Sequence, residues 1–244
     1  MLVYGINPVM EALRTGRVRE VRIGDRSGPR IQEIVRMAER AGVPVRRIPE
    51  PELERDTRGG VHQGVAADLE DQRGATLEEL AVSTDGRAPL IVVLDGVEDP
   101  HNLGAILRTV DAAGASGLVR QTRHAASIGG AAAKASAGAV SHVRIADVVN
   151  ISRALEELKE AGIWTVGLAG DAKTVYSDVD LTLPTAFVLG AEGTGLRRLV
   201  RERCDWLASI PMFGHVDSLN VSVAAGVTLF EAVRQRRKAS PSGR

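Results

Sequence analysis

One cysteine, Cys204, stands in 244 residues. A lone thiol excludes an internal disulfide framework and a thiolate zinc site, and it fits a reducing cytoplasm, where we expect the protein to act. Aromatic residues make up only 3% of the chain, too few for an extended base-stacking sheet. Thirty-one basic residues balance thirty-one acidic ones, so no global field draws in a polyanion. No apolar run reaches the roughly 18–20 residues that span a membrane. The opening MLVYGINPVMEAL lacks a basic region, a long apolar core and a cleavage site, so a secretory signal is not expected.

Several chemistries lack their residues. The first apolar strand of the C-terminal half is followed by Asp95-Gly96-Val97-Glu98-Asp99-Pro100, which does not match the G-x-G-x-x-G of a dinucleotide fold. Gly190–Gly195 (GAEGTG) is glycine-rich, but no Gly-Lys-Ser/Thr follows, so a nucleotide P-loop is unsupported. The five histidines show no metal-ligand spacing, and no G-x-S-x-G elbow is present. We therefore expect no metal. Group transfer from a small activated donor held in backbone loops stays open.

The periodicity predicts an α/β chain. Residues 1–70 read as a small unit: a helix from Asn7-Pro8, a strand at Val18–Ile23, a helix at Ile31–Ala41, a strand at Val43–Ile48, a short helix at Pro51–Asp56 and a strand after His62-Gln63-Gly64. Residues 71–88 are polar and read as a linker with a short helix around Leu77–Leu80. Residues 89–238 alternate strands (Leu90–Leu94, Gly117–Val119, Val143–Ile145, Trp164–Leu168, Ala186–Leu189, Leu207–Ile210) with helices (Leu103–Ala113, Gly130–Ala137, Ile151–Ala161, Leu196–Glu202, Val221–Arg237). That alternation argues for a parallel sheet covered on both faces. Residues 239–244 read as a frayed tail.

Charge is neutral overall but uneven. The first 47 residues hold ten arginines against five acids. Between His101 and Ala146 the cations Arg108, Arg120, Arg123, Lys134 and Arg144 face one acid, Asp111. Such zones are either solvated faces or phosphate-binding surfaces.

Three segments share one design, a strand running into a small-residue loop and then a helix. In Asp99-Pro100-His101-Asn102-Leu103-Gly104, Asn102 reads most simply as a helix N-cap, with Arg108 six residues on. In Gly190–Gly195, Glu192 reads as a carboxylate at a helix start. In Ile210-Pro211-Met212 to Ser218-Leu219-Asn220-Val221, Ser218 and Asn220 cap the last helix or face a ligand. Three such loops suggest one site where strands hand over to helices.

Taken in order, N-L-G-A-x-x-R, G-A-E-G-x-G and I-P-M…S-L-N-V-S-V-A resemble the three motifs of the SpoU/TrmH family of RNA ribose 2'-O-methyltransferases. The N-terminal V-Y-G-I-N-P-V and V-H-Q-G-V patterns resemble the ribosomal-protein-L30e-like substrate-binding domain of the branch that methylates a guanosine in 23S rRNA. The resemblance implies a C-terminal parallel-sheet domain with a deep trefoil knot (the SPOUT class), S-adenosylmethionine as cofactor and a homodimer through the knotted domains. It implies RNA rather than DNA or a membrane as partner. It assigns Arg108 as the central catalytic residue, supported by Asn102, Glu192, Ser218 and Asn220. It assigns backbone near Gly190, Ile210 and Leu219 to the cofactor, and Arg120, Arg123 and Lys134 to RNA phosphates. A tRNA ribose, the rRNA adenosine of thiostrepton resistance, and a catalytically silent RNA-binding assembly factor remain as alternatives.

Overall fold

The computed structural model describes residues 2–25, 28–69, 74–83, 86–122, 132, 135–136 and 138–239. The chain divides into two compact units. The first holds Met1–Arg73, Leu103–Arg108 and Ala126–His142, and the second holds Gly74–Asn102, Thr109–Ala125 and Val143–Arg244. Arg123, Lys134 and most of the helix expected at Gly130–Ala137 lie outside the described residues.

In the first unit, β1 (Leu2–Tyr4), β2 (Val18–Ile23), β3 (Val45–Arg47) and β4 (Val65–Leu69) form one sheet in the order β1-β4-β2-β3. β4 runs antiparallel to both neighbours, and β2 and β3 are parallel. α1 (Ile6–Arg14), α2 (Pro29–Arg40) and α3 (Glu50–Asp56) join these strands. Each of α1 and α2 buries an apolar stripe: Val9, Ala12 and Leu13 in α1, and Ile31, Ile34 and Ala38 in α2. Arg22 on β2 gathers Glu20, Asp56 and Asp68 around one guanidinium. β1 was not foreseen; three residues are too few to show a period.

The second unit is built on seven strands: β5 (Leu90–Asp95), β6 (Gly117–Gln121), β7 (Ile145–Val148), β8 (Trp164–Leu168), β9 (Thr174–Val175), β10 (Thr185–Gly190) and β11 (Trp206–Ser209). Their order is β7-β6-β5-β10-β8-β11-β9, and every pairing is parallel. The central strands β5 and β10 are buried almost throughout, as a sheet covered on both faces requires. Further α-helices are α4 (Leu77–Ala81), α5 (Pro100–Ala112), α6 (Ile151–Glu160), α7 (Arg198–Arg203) and α8 (Val221–Ala239).

Some readings change, and β3 and α7 each start two residues later than expected, at Val45 and Arg198. β7 begins at Ile145 rather than Val143. Residues 74–83, read from their polarity as linker, belong to the second unit. Thr76 and Glu79 form a reciprocal capping box that starts α4, and Leu77 and Leu80 enter the core with Ile91, Val93 and Leu155.

The edge of the sheet has an uncommon connection. β11 lies between β8 and β9, yet β8 and β9 are joined by residues 169–173 alone. Ala208 pairs with Leu168 on one side and with Thr174 on the other. Parallel strands ordinarily need a crossover of a dozen or more residues. Here a short bridge passes a strand that the chain supplies later.

Candidate active site

The C-terminal ends of β8, β10 and β11 open onto one cavity of about 580 Å³. This volume lies within the roughly 300–1,000 Å³ of small-molecule sites, and the position outside the carboxyl ends of parallel strands is where such folds bind ligands. Its walls come from the turn Leu168–Asp171, the loop Gly190–Leu196 and the stretch from Ile210 to Ala224.

Each wall has a local cause. β10 ends at Gly190, where a Cβ would overlap the backbone of Gly195 and Leu196. The loop closes on itself through the bridge between Ala191 and Gly195, with Gly195 N–H donating to Ala191 C=O at 2.9 Å. Gly190 does line the cavity, but its missing side chain is needed first by the loop, not by a ligand. Ile210 and Leu219 also line the cavity, half-buried.

Below this loop, Asp95 at the end of β5 is fully buried, and one residue surrounds it. Arg197 donates its backbone N–H to Oδ2 at 2.8 Å and its Nε to Oδ1 at 2.6 Å, while its Nη2 donates to Gln121 at 2.9 Å. A buried carboxylate requires such a partner. The contact pins the exit of the glycine loop under the sheet. Sequence reading missed it, although an acid closing the apolar run LIVVLD was the signal.

Three motif residues meet at the lip of the cavity. Asn102 is buried, at 7% exposure. It does not cap its helix: α5 starts at Pro100, and Asp99 is the cap, accepting from His101 N–H at 3.0 Å. The Asn102 amide is therefore free for distant partners. Its Nδ2 donates to Glu192 Oε1 at 3.1 Å, and its Oδ1 accepts from Asn220 Nδ2 at 3.0 Å. Asn220 Nδ2 donates also to Glu192 Oε1, at 2.6 Å. Asn220 itself caps α8, its Oδ1 accepting from Ser222 N–H at 2.9 Å. Cap and cluster together fix which way each amide points. Glu192, read as a helix-start carboxylate, instead aligns two amides, and α7 begins well after it, at Arg198.

The remaining site residues are separate from this cluster. Ser218 is exposed on the cavity wall. Arg108 is exposed on α5 and, among the described residues, forms no hydrogen bond or ion pair. Arg120 donates to Asp147 at 2.7 Å and its side chain is only 15% exposed, which leaves less charge for a phosphate than the sequence reading expected. Among the described residues no helix is long and apolar enough to cross a membrane.

The arrangement can bind a flat apolar group and a charged one side by side. Leu168, Leu189, Ala208 and Ile210 give apolar walls, and Glu192 gives a carboxylate. These residues fit a nucleoside bearing a cationic sulfonium, with backbone and apolar side chains for the ring and a carboxylate for the charge.

Comparison with known proteins agrees with this geometry. The profile described as SpoU rRNA Methylase family matches residues 89–230, and that described as RNA 2'-O ribose methyltransferase substrate binding matches residues 2–74. The chain belongs to the SpoU methylase family.

Its relatives in that family extend along nearly the whole sequence. It is 44% identical over 240 residues to the 23S rRNA (guanosine-2'-O-)-methyltransferase RlmB of Pseudomonas syringae, covering 96% of this chain and 95% of the relative. It is 46% identical over 242 residues to the RlmB of Xanthomonas campestris, covering 96% of each. Among solved structures it resembles the SpoU methyltransferase AviRb from Streptomyces viridochromogenes in complex with AdoMet. That match has a TM-score of 0.82 at 29% identity and covers 98% of this chain and 91% of the other. Membership in the SpoU family makes this protein an RNA 2'-O-ribose methyltransferase.

Proposed function

We propose that the protein transfers a methyl group from S-adenosylmethionine to the 2'-hydroxyl of one guanosine in 23S rRNA, in the cytoplasm. The observation that carries this reading is the Asn102–Glu192–Asn220 cluster on the lip of a nucleoside-sized cavity. The relatives' near end-to-end match favours the 23S guanosine over a tRNA ribose.

When bound, the cofactor supplies an electrophilic methyl carbon on a sulfonium. The walls near Gly190, Ile210 and Leu219 hold it. Asn102, Glu192 and Asn220 keep the lip rigid and offer amide groups to the ribose, and Ser218 adds a hydroxyl beside them. Orientation of this kind accounts for much of the rate in a two-substrate transfer. Arg108 grips an RNA phosphate and orients the hydroxyl. A guanidinium stays protonated with a pKa above about 12, so it is a poor proton acceptor but a strong phosphate ligand.

Residues 1–70 serve as the RNA-binding domain and 89–238 as the methyltransferase domain, to whose core the α4 part of the 71–88 segment belongs, and Arg120, Arg123 and Lys134 lie along the RNA path. The knot of the family is supported by β11 lying between β8 and β9 with only residues 169–173 joining them. A homodimer through this domain is supported by Val223 and Phe230, each 49% exposed and two turns apart on α8.

The test is transfer of labelled methyl to protein-free 23S rRNA and to bulk tRNA, with the product mapped by alkali-resistant linkages. Label on one 23S guanosine supports the reading. Label on tRNA keeps the chemistry and overturns the substrate. Cofactor binding with no transfer to naked RNA or to ribosomal precursor particles favours the silent assembly factor.

A further inference from the structure

The bridge that passes β11 is also a wall of the cavity, and one ion pair holds it. Residues 169–173 carry no helix and have few backbone ties: Ala169 N–H donates to Ala208 C=O at 3.0 Å, and Ala172 N–H donates back to Ala169 C=O at 3.1 Å. Asp171 lies in the middle of the bridge. Both of its carboxylate oxygens are taken by one guanidinium, Arg201 Nη1 to Oδ1 at 2.8 Å and Nη2 to Oδ2 at 2.9 Å. Arg201 stands on α7, the helix that follows the glycine loop, and both partners line the cavity. The pair thus ties the bridge wall to the helix that leaves the glycine loop.

The pair is badly placed to stabilise the fold. Its side chains are 69% and 38% exposed, and exposed ion pairs contribute little to folding. Its parallel double hydrogen bond does impose direction, because a bidentate guanidinium fixes both the distance and the plane of its carboxylate. A device that adds little stability but fixes geometry, set on a wall with few other ties, belongs to the ligand.

We infer that Asp171 and Arg201 form a clasp that holds the 169–173 bridge closed over the cofactor groove and slows release of the nucleoside. They are positioning residues: neither is required to touch the reacting atoms. The inference rests on the cofactor reading given above, and it assigns to these two side chains how long the cofactor stays.

The test is binding of S-adenosylhomocysteine to the full chain, by calorimetry and stopped-flow, for wild type, Arg201→Ala, Arg201→Lys, Asp171→Asn and the exchanged pair D171R/R201D. If loss of the clasp leaves the bridge closed about a tenth of the time, the apparent dissociation constant rises about tenfold. The increase should appear as faster dissociation, and Arg201→Lys should be intermediate because an ammonium cannot make the double contact. The exchanged pair should recover most of the affinity. In turnover, the loss should fall on KM for the cofactor, with kcat at saturation changed by less than about twofold. Raised salt should weaken wild-type binding and leave Arg201→Ala largely unaffected.

Equal affinity and equal dissociation rates in wild type and single variants would overturn the clasp. So would a melting temperature of the ligand-free variants lowered by more than about 4 °C, since the pair would then be holding the fold. A wild-type chain that binds no S-adenosylhomocysteine removes the cofactor reading itself, which the variants alone could not do.

Discussion

Asn220 donates its side-chain amide to Asn102 across 118 positions of chain, at 3.0 Å, and the amides of both also donate to one oxygen of Glu192. One carboxylate oxygen thereby registers the start of α5 against the start of α8. Replacing it tests whether registration matters. Glu192→Gln keeps the shape but offers a neutral amide to two amide donors, and Glu192→Ala removes the acceptor. Misplacing a reacting group by about 1 Å can cost about a hundredfold in rate. We expect that loss in kcat for Glu192→Ala, a smaller one for Glu192→Gln, and unchanged circular dichroism in both.

Arg108 is an exposed guanidinium with no partner among the described residues. Arg108→Ala should lower methyl transfer by about 10²–10³, the usual cost of removing one preorganised electrostatic contact. Calorimetric affinity for S-adenosylhomocysteine should stay unchanged, because the arginine is assigned to the RNA. Arg108→Lys should recover only part of the rate, since an ammonium grips phosphate as a point charge. A parallel loss of cofactor affinity would count against the assignment.

Arg197 surrounds the fully buried carboxylate of Asp95. Arg197→Ala leaves that charge with one backbone N–H, and stability should fall by about 3 kcal/mol in urea unfolding. Asp95→Asn should cost less, because a neutral amide needs no counter-charge. If both variants unfold with the wild-type midpoint, the contact does not anchor the loop.

Burial pushes the Cys204 thiol up to about 12, and its Sγ donates to Val200 C=O at 3.3 Å. The thiolate is the reactive form. A disulfide exchange reagent at pH 8 should therefore label the folded protein very slowly and the urea-unfolded protein at once. Rapid labelling of the native chain would show that α7 opens readily.

Burial alone would raise the Asp205 carboxyl, but Lys159 at 2.8 Å and the backbone N–H and hydroxyl of Thr165 outweigh it and hold it below its ordinary value of 3.8. A lowered carboxylate contributes stability above its unfolded value, and that contribution is lost as pH falls through the folded one. The acid limb of unfolding should thus include a step below about pH 3.8 that is absent in Asp205→Asn. An identical acid limb in the variant would remove Asp205 from the account.

Much of this fold was legible in the sequence because its strands are either fully buried or cleanly alternating. Leu90–Leu94 and Ala186–Leu189 announced themselves as unbroken apolar runs, and the observed β5 and β10 extend each by a residue or two. β9 could not be read, since two residues have no period and exist as a strand only because β11 lies beside them. At the site, residue types were legible but their jobs were not. Asn102 has the composition of a cap, yet Asp99 with Pro100 behind it wins that position, and the three-way contact forms only between segments about a hundred residues apart. Asp171 and Arg201 carried no local signal at all.

The bridge at residues 169–173 also sets a condition on synthesis. A ribosome extends the chain from the N-terminus, so β8 and β9 emerge well before Trp206–Ser209. Until then residues 174–175 have no strand to pair with, and β8 keeps a free edge of N–H and C=O groups where β11 will lie. The slot beside β8 therefore stays open along the line where the cofactor wall will later form, and β11 must fill it rather than join an outer margin. Entry of Trp206–Ser209 into that slot, not the appearance of the core, marks when this sheet becomes whole.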